Sequence, residues 1–324
     1  MKALRFERFG DPDVLRQVTV ATPRADGDTA IVAVRAASIN PSDLGNVAGR
    51  FPQTTLPRIP GRDYSGVVVD GPAAWIGVEV WGTGNAGFAR DGSHAEAIAV
   101  PVASLRRKPA TLSHAEAASI GVNFAAAWLG VVDYARLAAG ETLVVIGAAG
   151  GVGGAAVQIG HRIGARVIGI DRAAPHPESP AARLADRIVT PEPAESAAMI
   201  RELTGGRGAA VVLNAVGGAT FEPSLAMLAP RGRLAVLASP GQRRASFDLL
   251  DFYHNESQLF GVDTLKRDMV ESAALLEALT PGFEAGGFQP PVIERAVGLD
   301  QAVEAYRAVA AGTRGRVVLL PDAG

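Results

Sequence analysis

The 324-residue chain is 48% hydrophobic and 20% charged. At roughly 100 to 200 residues per domain it has room for two, and it is too apolar to be a disordered polymer. Its 31 Lys and Arg against 33 Asp and Glu leave a net charge of -2, without the field that draws a protein to nucleic acid or an anionic membrane. Cysteine is absent, which excludes disulfides, thiol nucleophiles and every zinc site built on thiolate.

Residues 1–15 scatter charge among apolar positions and hold no apolar run of signal-peptide length, so the chain reads as cytoplasmic. Over the first hundred residues, apolar or β-rich runs at 1–6, 30–37 and 64–69 are punctuated by Gly10, Pro12, Gly71, Pro72, Gly82 and Gly84. This spacing predicts a β-rich, partly barrel-like domain. The texture changes near Ser113. Helical spacing covers 115–137, a buried strand 142–146, a helix 154–164 and a further strand 166–170. Strand-like runs recur at 209–214, 233–237 and 258–262, with a helical segment at 223–229. Strands alternating with helices predict an α/β fold with a doubly wound parallel sheet. Beyond Arg267 a helical stretch leads to 290–297, a helix at 302–311 and a last strand at 316–320.

Residues 143–160 (LVVIGAAGGVGGAAVQIG) have the length of a membrane span, with Gln158 as their one polar side chain. Six of them are glycine. Each glycine costs about 1 kcal/mol in a helix, so a strand, a turn and a new helix account for the run better. Ala148, Ala149, Gly150, Gly151, Val152 and Gly153 then sit between strand and helix, the setting of a dinucleotide-binding turn. Glycine lets the backbone approach a pyrophosphate, and free N–H groups at the helix start hold the anion. Ala148 replaces the first glycine of the G-x-G-x-x-G pattern. Asp171 ends the next strand, where a carboxylate accepts hydrogen bonds from an adenosine ribose and repels a 2′-phosphate, favouring NADH. Arg172 follows and favours NADPH, because a guanidinium binds that phosphate.

Four segments occur in family order across nearly the whole chain: 37–43 (ASINPSD), 59–68 (IPGRDYSGVV), 140–160 and 315–319 (GRVVL). Through them the sequence resembles the medium-chain dehydrogenase/reductase superfamily, in its zinc-free quinone oxidoreductase branch. The resemblance implies a discontinuous GroES-like catalytic domain, 1–121 with 266–324, and a dinucleotide-binding domain, 122–265. It also implies a site in the cleft between them and a homodimer joined through the cofactor domains. Zinc-dependent relatives carry a cysteine at the position of Asn40, a histidine at Arg62 and a cysteine near Val122. None is present here, and the five histidines are singletons without an i, i+3 or i+4 partner, so no metal is expected.

A ketone or alcohol needs a Lewis acid to carry a developing alkoxide. A quinone or α,β-unsaturated carbonyl spreads the charge of hydride addition over a conjugated system, where hydrogen bonds suffice. The expected activity is therefore NAD(P)H-dependent reduction of a quinone or enone. The alternatives are an enoyl thioester reductase, disfavoured by Phe51 where such relatives use a tyrosine, and a non-catalytic NAD(P)-binding relative. Asn40 is the first catalytic candidate, donating to a substrate carbonyl or the nicotinamide ribose, or else capping a short helix. Arg62 either stabilises an enolate or pairs with Asp63 or Asp43. Tyr64 either supplies a proton or points into the core. Further cofactor contacts implied by the resemblance are Asn123, Val216, Ala238, Ser239, Phe260, Gly261, Val262 and Arg316.

Overall fold

In chain order the first elements of the computed structural model, which describes residues 1–238 and 242–321, are short strands: β1 (Lys2–Arg5), β2 (Arg16–Thr19) and the longer β3 (Thr29–Ser38). Helix α1 (Pro41–Val47) precedes β4 (Tyr64–Asp70), β5 (Glu79–Gly82), β6 (Ala97–Pro101) and β7 (Arg106–Arg107). Small and β-branched residues make β3 the spine of this region. It pairs antiparallel with both β4 and β6. Val32, Val34, Val68, Val80, Ile98 and Val100 meet in the core beneath it.

Helix α2 (His114–Trp128) runs on into a π-helical turn at Leu129–Tyr134, so the expected helical segment is present but changes its winding before Leu137. Residues 114–134 are long and apolar enough to cross a membrane, and 72% of their most apolar window is buried within the protein. The suspect run at 143–160 is divided as anticipated, between β8 (Thr142–Ile146), a turn, and α3 (Gly151–Ile163).

The series continues with β9 (Arg166–Ile170), α4 (Pro180–Leu184), β10 (Arg187–Val189), α5 (Pro193–Leu203), β11 (Ala209–Asn214), α6 (Phe221–Ala226), β12 (Leu228–Val236), α7 (Leu249–His254) and β13 (Gln258–Gly261). Six of these strands form one parallel sheet in the order β10-β9-β8-β11-β12-β13. Its central strands are near-continuous apolar runs because helices cover both faces. Residues 228 and 229, expected as helix, instead begin β12, where Leu228 pairs with Ala209 of β11.

Last come α8 (Met269–Glu284), β14 (Ile293–Val297), α9 (Ala302–Ala311) and β15 (Arg316–Leu319). β15 pairs antiparallel with β3, Val318 opposite Ser38. The chain forms two units, Met1–Val122 with Thr264–Gly324, and Asn123–Asp263. The fold is thus α/β, with a doubly wound parallel sheet in one unit and a β-rich GroES-like arrangement in the other.

Candidate functional site

In the second unit the candidates gather at the carboxyl ends of the parallel strands. The sheet order reverses at β8, between β9 on one side and β11 on the other, the place where doubly wound folds bind ligands. Gly147 leaves β8 at φ +83°, a conformation that glycine adopts without strain. Gly150 then occupies the N-cap of α3, and no side chain caps that helix. A Cβ on Gly153 would lie 2.0 Å from the Gly147 carbonyl oxygen and 2.7 Å from Ala148 Cα, so only glycine lets the helix seat on the turn. Gly150 is less crowded, its nearest atom being the Gly147 oxygen at 3.3 Å. The buried Asn123 amide packs on Gly151, 2.8 Å from where a Cβ would stand.

Asp171 faces this turn. Its Oδ2 accepts the Ala149 N–H at 2.8 Å and its Oδ1 the Arg172 N–H at 2.8 Å. The Arg172 side chain is exposed. Beyond β11, the Val216 N–H donates to Asn214 Oδ1 at 3.0 Å and the Gly217 N–H at 2.7 Å. Asn214, which sequence reading missed, is buried and donates through Nδ2 to Thr220 and Ser224, fixing the strand end. Ala238 is half-buried after β12, and Ser239 lies outside the described residues. Phe260 and Gly261 pair with Ala235 and Val236, and the Val262 N–H donates to the Val236 oxygen at 2.8 Å.

The first unit holds a buried polar cluster centred on Asp63. Oδ1 accepts from Thr83 Oγ1 at 2.5 Å and from the Val122 N–H at 3.0 Å. Oδ2 accepts from Asn40 Nδ2 at 3.0 Å and Ser38 Oγ at 3.3 Å, with Arg316 Nη2 3.9 Å away. That same Nη2 donates to Asn40 Oδ1 and Ser38 Oγ, both at 2.7 Å. The Asn40 amide is therefore clamped by an acceptor at its nitrogen and a cation at its oxygen. Asn40 is also the N-cap of α1, in a capping box with Asp43, whose Oδ2 accepts the Asn40 N–H at 2.8 Å. Asp63, expected only as an ion partner for Arg62, stands instead at the centre of this cluster.

Arg62 is buried, donating from Nε to the Gly84 oxygen at 2.7 Å and from Nη2 to Thr264 Oγ1 at 3.0 Å, over the Phe88 ring. Arg316 is ion-paired with Asp63, and the Arg62 charge acts on Asp43. Tyr64 does not join the cluster. It packs with Val32, Val80 and Ile98, and burial pushes its hydroxyl well above the ordinary phenol range. The expectation that Tyr64 supplies a proton is corrected accordingly, since residues 64 and 68 share the inward face of β4.

Two family models match, "Alcohol dehydrogenase GroES-like domain" over residues 26–110 and "Zinc-binding dehydrogenase" over 151–279. A zinc-type alcohol dehydrogenase-like protein of Schizosaccharomyces pombe is 33% identical over 323 residues, covering 95% of this chain and 93% of the relative. The chain belongs to the medium-chain dehydrogenase/reductase superfamily. A quinone oxidoreductase of Pongo abelii is 27% identical, with 99% and 98% of the two chains covered. The crystal structure of an NAD-dependent alcohol dehydrogenase is 28% identical with a TM-score of 0.88, covering 99% of each chain.

Within that superfamily the ligand positions place the chain in the zinc-free branch. Asn40 is engaged by Asp63 and Arg316, Arg62 by Gly84 and Thr264, and Val122 offers only a backbone N–H, already given to Asp63. Among the described residues no group of three or more His, Asp or Glu is placed to hold a metal. The residues present do not fit zinc. His94, the histidine nearest the cluster, has both ring nitrogens committed. Nε2 faces the Ser38 carbonyl at 3.1 Å and so carries the proton, while Nδ1 accepts from the Tyr306 hydroxyl at 2.8 Å. Burial holds His94 neutral, its pKa lowered to about 4.

Proposed function

We propose that this oxidoreductase reduces quinones or α,β-unsaturated carbonyl compounds with NAD(P)H and without zinc. The observation that carries the reading is the filling of the family's ligand positions by an oriented amide and a locked guanidinium. Such groups donate hydrogen bonds but cannot act as a Lewis acid, which suits an acceptor that delocalises its own charge.

The turn in the second unit fits a nicotinamide dinucleotide, having an uncapped helix start and room beside Gly150 for phosphate oxygens. When bound, that cofactor supplies the hydride. In our reading Ala149, Gly150, Gly151, Val152 and Gly153 hold its pyrophosphate, with Asn123 alongside. Asp171 meets the adenosine ribose, which favours NADH, and Arg172 is the route by which NADPH would still bind. Val216, Ala238, Phe260, Gly261 and Val262 line the nicotinamide end. Asn40 keeps one amide hydrogen beyond the one given to Asp63, and directs it at the substrate oxygen. Arg316 acts through Asn40, holding its amide in that orientation, and Arg62 contributes positive charge beside it.

We also propose a homodimer through the cofactor-binding unit. Among the described residues β13 pairs with β12 alone, leaving one edge open, and Leu259 of β13 and Leu249, Leu250 and Tyr253 of the preceding α7 are exposed. Light scattering that finds a monomer at micromolar concentration would remove this part. The function is tested by steady-state NADH and NADPH oxidation with 1,2-quinones, 1,4-quinones and cyclic enones, with and without chelator. Turnover with at least one class, insensitive to chelator, is expected; cofactor binding without turnover of any acceptor sinks the reading.

A further inference from the structure

Reduction of a conjugated double bond needs a proton as well as a hydride, and the usual side chains for that task are occupied. Tyr64 lies in the core, both nitrogens of His94 are taken, and the Tyr306 hydroxyl is turned onto His94. Asp63 accepts four hydrogen bonds and faces Arg316, so both of its carboxyl oxygens are engaged.

Asp43 differs. It stands in the first turn of α1, 0% exposed, with Oδ2 accepting the Asn40 N–H. Its Oδ1 has no hydrogen-bond partner among the described residues, although fully buried carboxyl oxygens are rarely left so. Arg316 Nε, on the other side of the same cluster, also lacks a partner among the described residues. One unused carboxyl oxygen and one unused donor thus flank the clamped Asn40 amide.

We propose that the Asp43 carboxyl is the proton source when this protein reduces an enone, an inference that rests on the reductase reading above. The charged and titratable groups around it are Arg62, Asp63, Arg316 and Tyr306. Burial, aided by the Asp63 charge, raises its pKa to about 7 against the opposing pull of the Asn40 N–H and the two guanidiniums. A carboxylic acid near neutrality is matched to proton donation. As the β-carbon receives hydride, the C=C π pair shifts into the carbonyl. The Asp43 O–H bond then breaks, directly or across one water, and a C–H bond forms at the α-carbon. The carboxylate left behind is stabilised by Arg62 and Arg316 and regains its proton from solvent.

The test uses the full-length enzyme and Asp43→Asn, which keeps an acceptor for the Asn40 N–H, with an α-methyl cyclic enone and a 1,4-quinone in H2O and D2O. For the enone, kcat should fall about 100-fold in the variant, a typical general-acid contribution. The decline of wild-type kcat as pH rises through 7 should vanish, and deuterium should enter the α-carbon of the residual product in both configurations. Quinone turnover should fall at least about 10-fold less than enone turnover, because hydroquinone oxygens take protons readily from solvent. A variant that retains wild-type enone kcat and a single α-configuration overturns the proposal. If the variant does not fold, the wild type still decides: mixed configuration at the α-carbon, or no alkaline decline, overturns it. Should the wild type reduce quinones but no enone, this inference fails and the reductase reading survives; if it reduces nothing, both fail.

Discussion

At the start of α3 no side chain caps the helix, and glycines keep the backbone uncovered, whereas around Asp63 four donors and a guanidinium converge on one carboxylate. The first arrangement is incomplete by itself, and in our proposal an anion completes it. The second is nearly complete, so its groups are held in place before any substrate arrives. Damage to the first should therefore appear mainly in binding, and damage to the second mainly in stability.

The largest effect is expected from Gly153→Val. A side chain 2.0 Å from the Gly147 oxygen forces α3 off the turn. Cofactor affinity should fall beyond detection in a fluorescence titration while the β-rich unit keeps its circular dichroism signature; retained affinity would break the comparison. Asp63→Asn comes next. It leaves Arg316 buried without its anion and turns an NH2 group toward existing donors. A loss of about 3 to 5 kcal/mol in urea denaturation is expected, and a loss under about 1 kcal/mol would mean that the cluster is not pre-organised by charge.

A third prediction concerns pH. His94 is neutral in the folded chain down to about 4 but titrates at 6.5 when unfolded, so its contribution is present above pH 6.5 and lost on acidification toward pH 4. Asp43 runs the other way. It holds its proton up to about 7 when folded but only to 3.8 when unfolded, so its contribution is present below pH 3.8 and lost as pH rises to 7. Between about 4 and 6.5 the two slopes oppose each other. Asp43→Asn should uncover the histidine slope, so that stability relative to wild type climbs by about 1.4 kcal/mol per pH unit across that range. Parallel wild-type and variant curves would contradict it.

The smallest effect is at Asp171. Asp171→Ser should raise use of NADPH relative to NADH, and should also weaken both a few-fold, because the Ala149 N–H loses its acceptor. Asp171→Asn, which keeps an acceptor, should spare the turn. Equal affinities in all three proteins would separate Asp171 from cofactor choice.

The readable parts of the site were those made by neighbours in the chain. Ala148 through Gly153 could be recognised between a strand and a helix because the turn, the close packing and the free N–H groups all lie within a few residues. Asp171 was legible for the same reason, one strand further on. The buried cluster was not. Asn40 and Arg316 meet across 276 residues, and Arg62 and Thr264 across 202. Tyr64 could be identified as a hydroxyl near Arg62 in sequence, but the pleat of β4 turned it inward to Val32 and Val80.

The sequence by itself determined the alternation of strands and helices, the glycine turn, and, through the absence of cysteine, the impossibility of a thiolate zinc site. These follow from local backbone preferences and from composition. Only the tertiary structure decided which carboxylate is saturated and which keeps an unused oxygen. Pairing of β15 with β3, Val318 opposite Ser38, brings Arg316 onto Asn40 and Asp63, while among the described residues Asp43 Oδ1 is left without a partner. Partners of buried polar groups are chosen by packing between distant segments, and no periodicity along the chain records them.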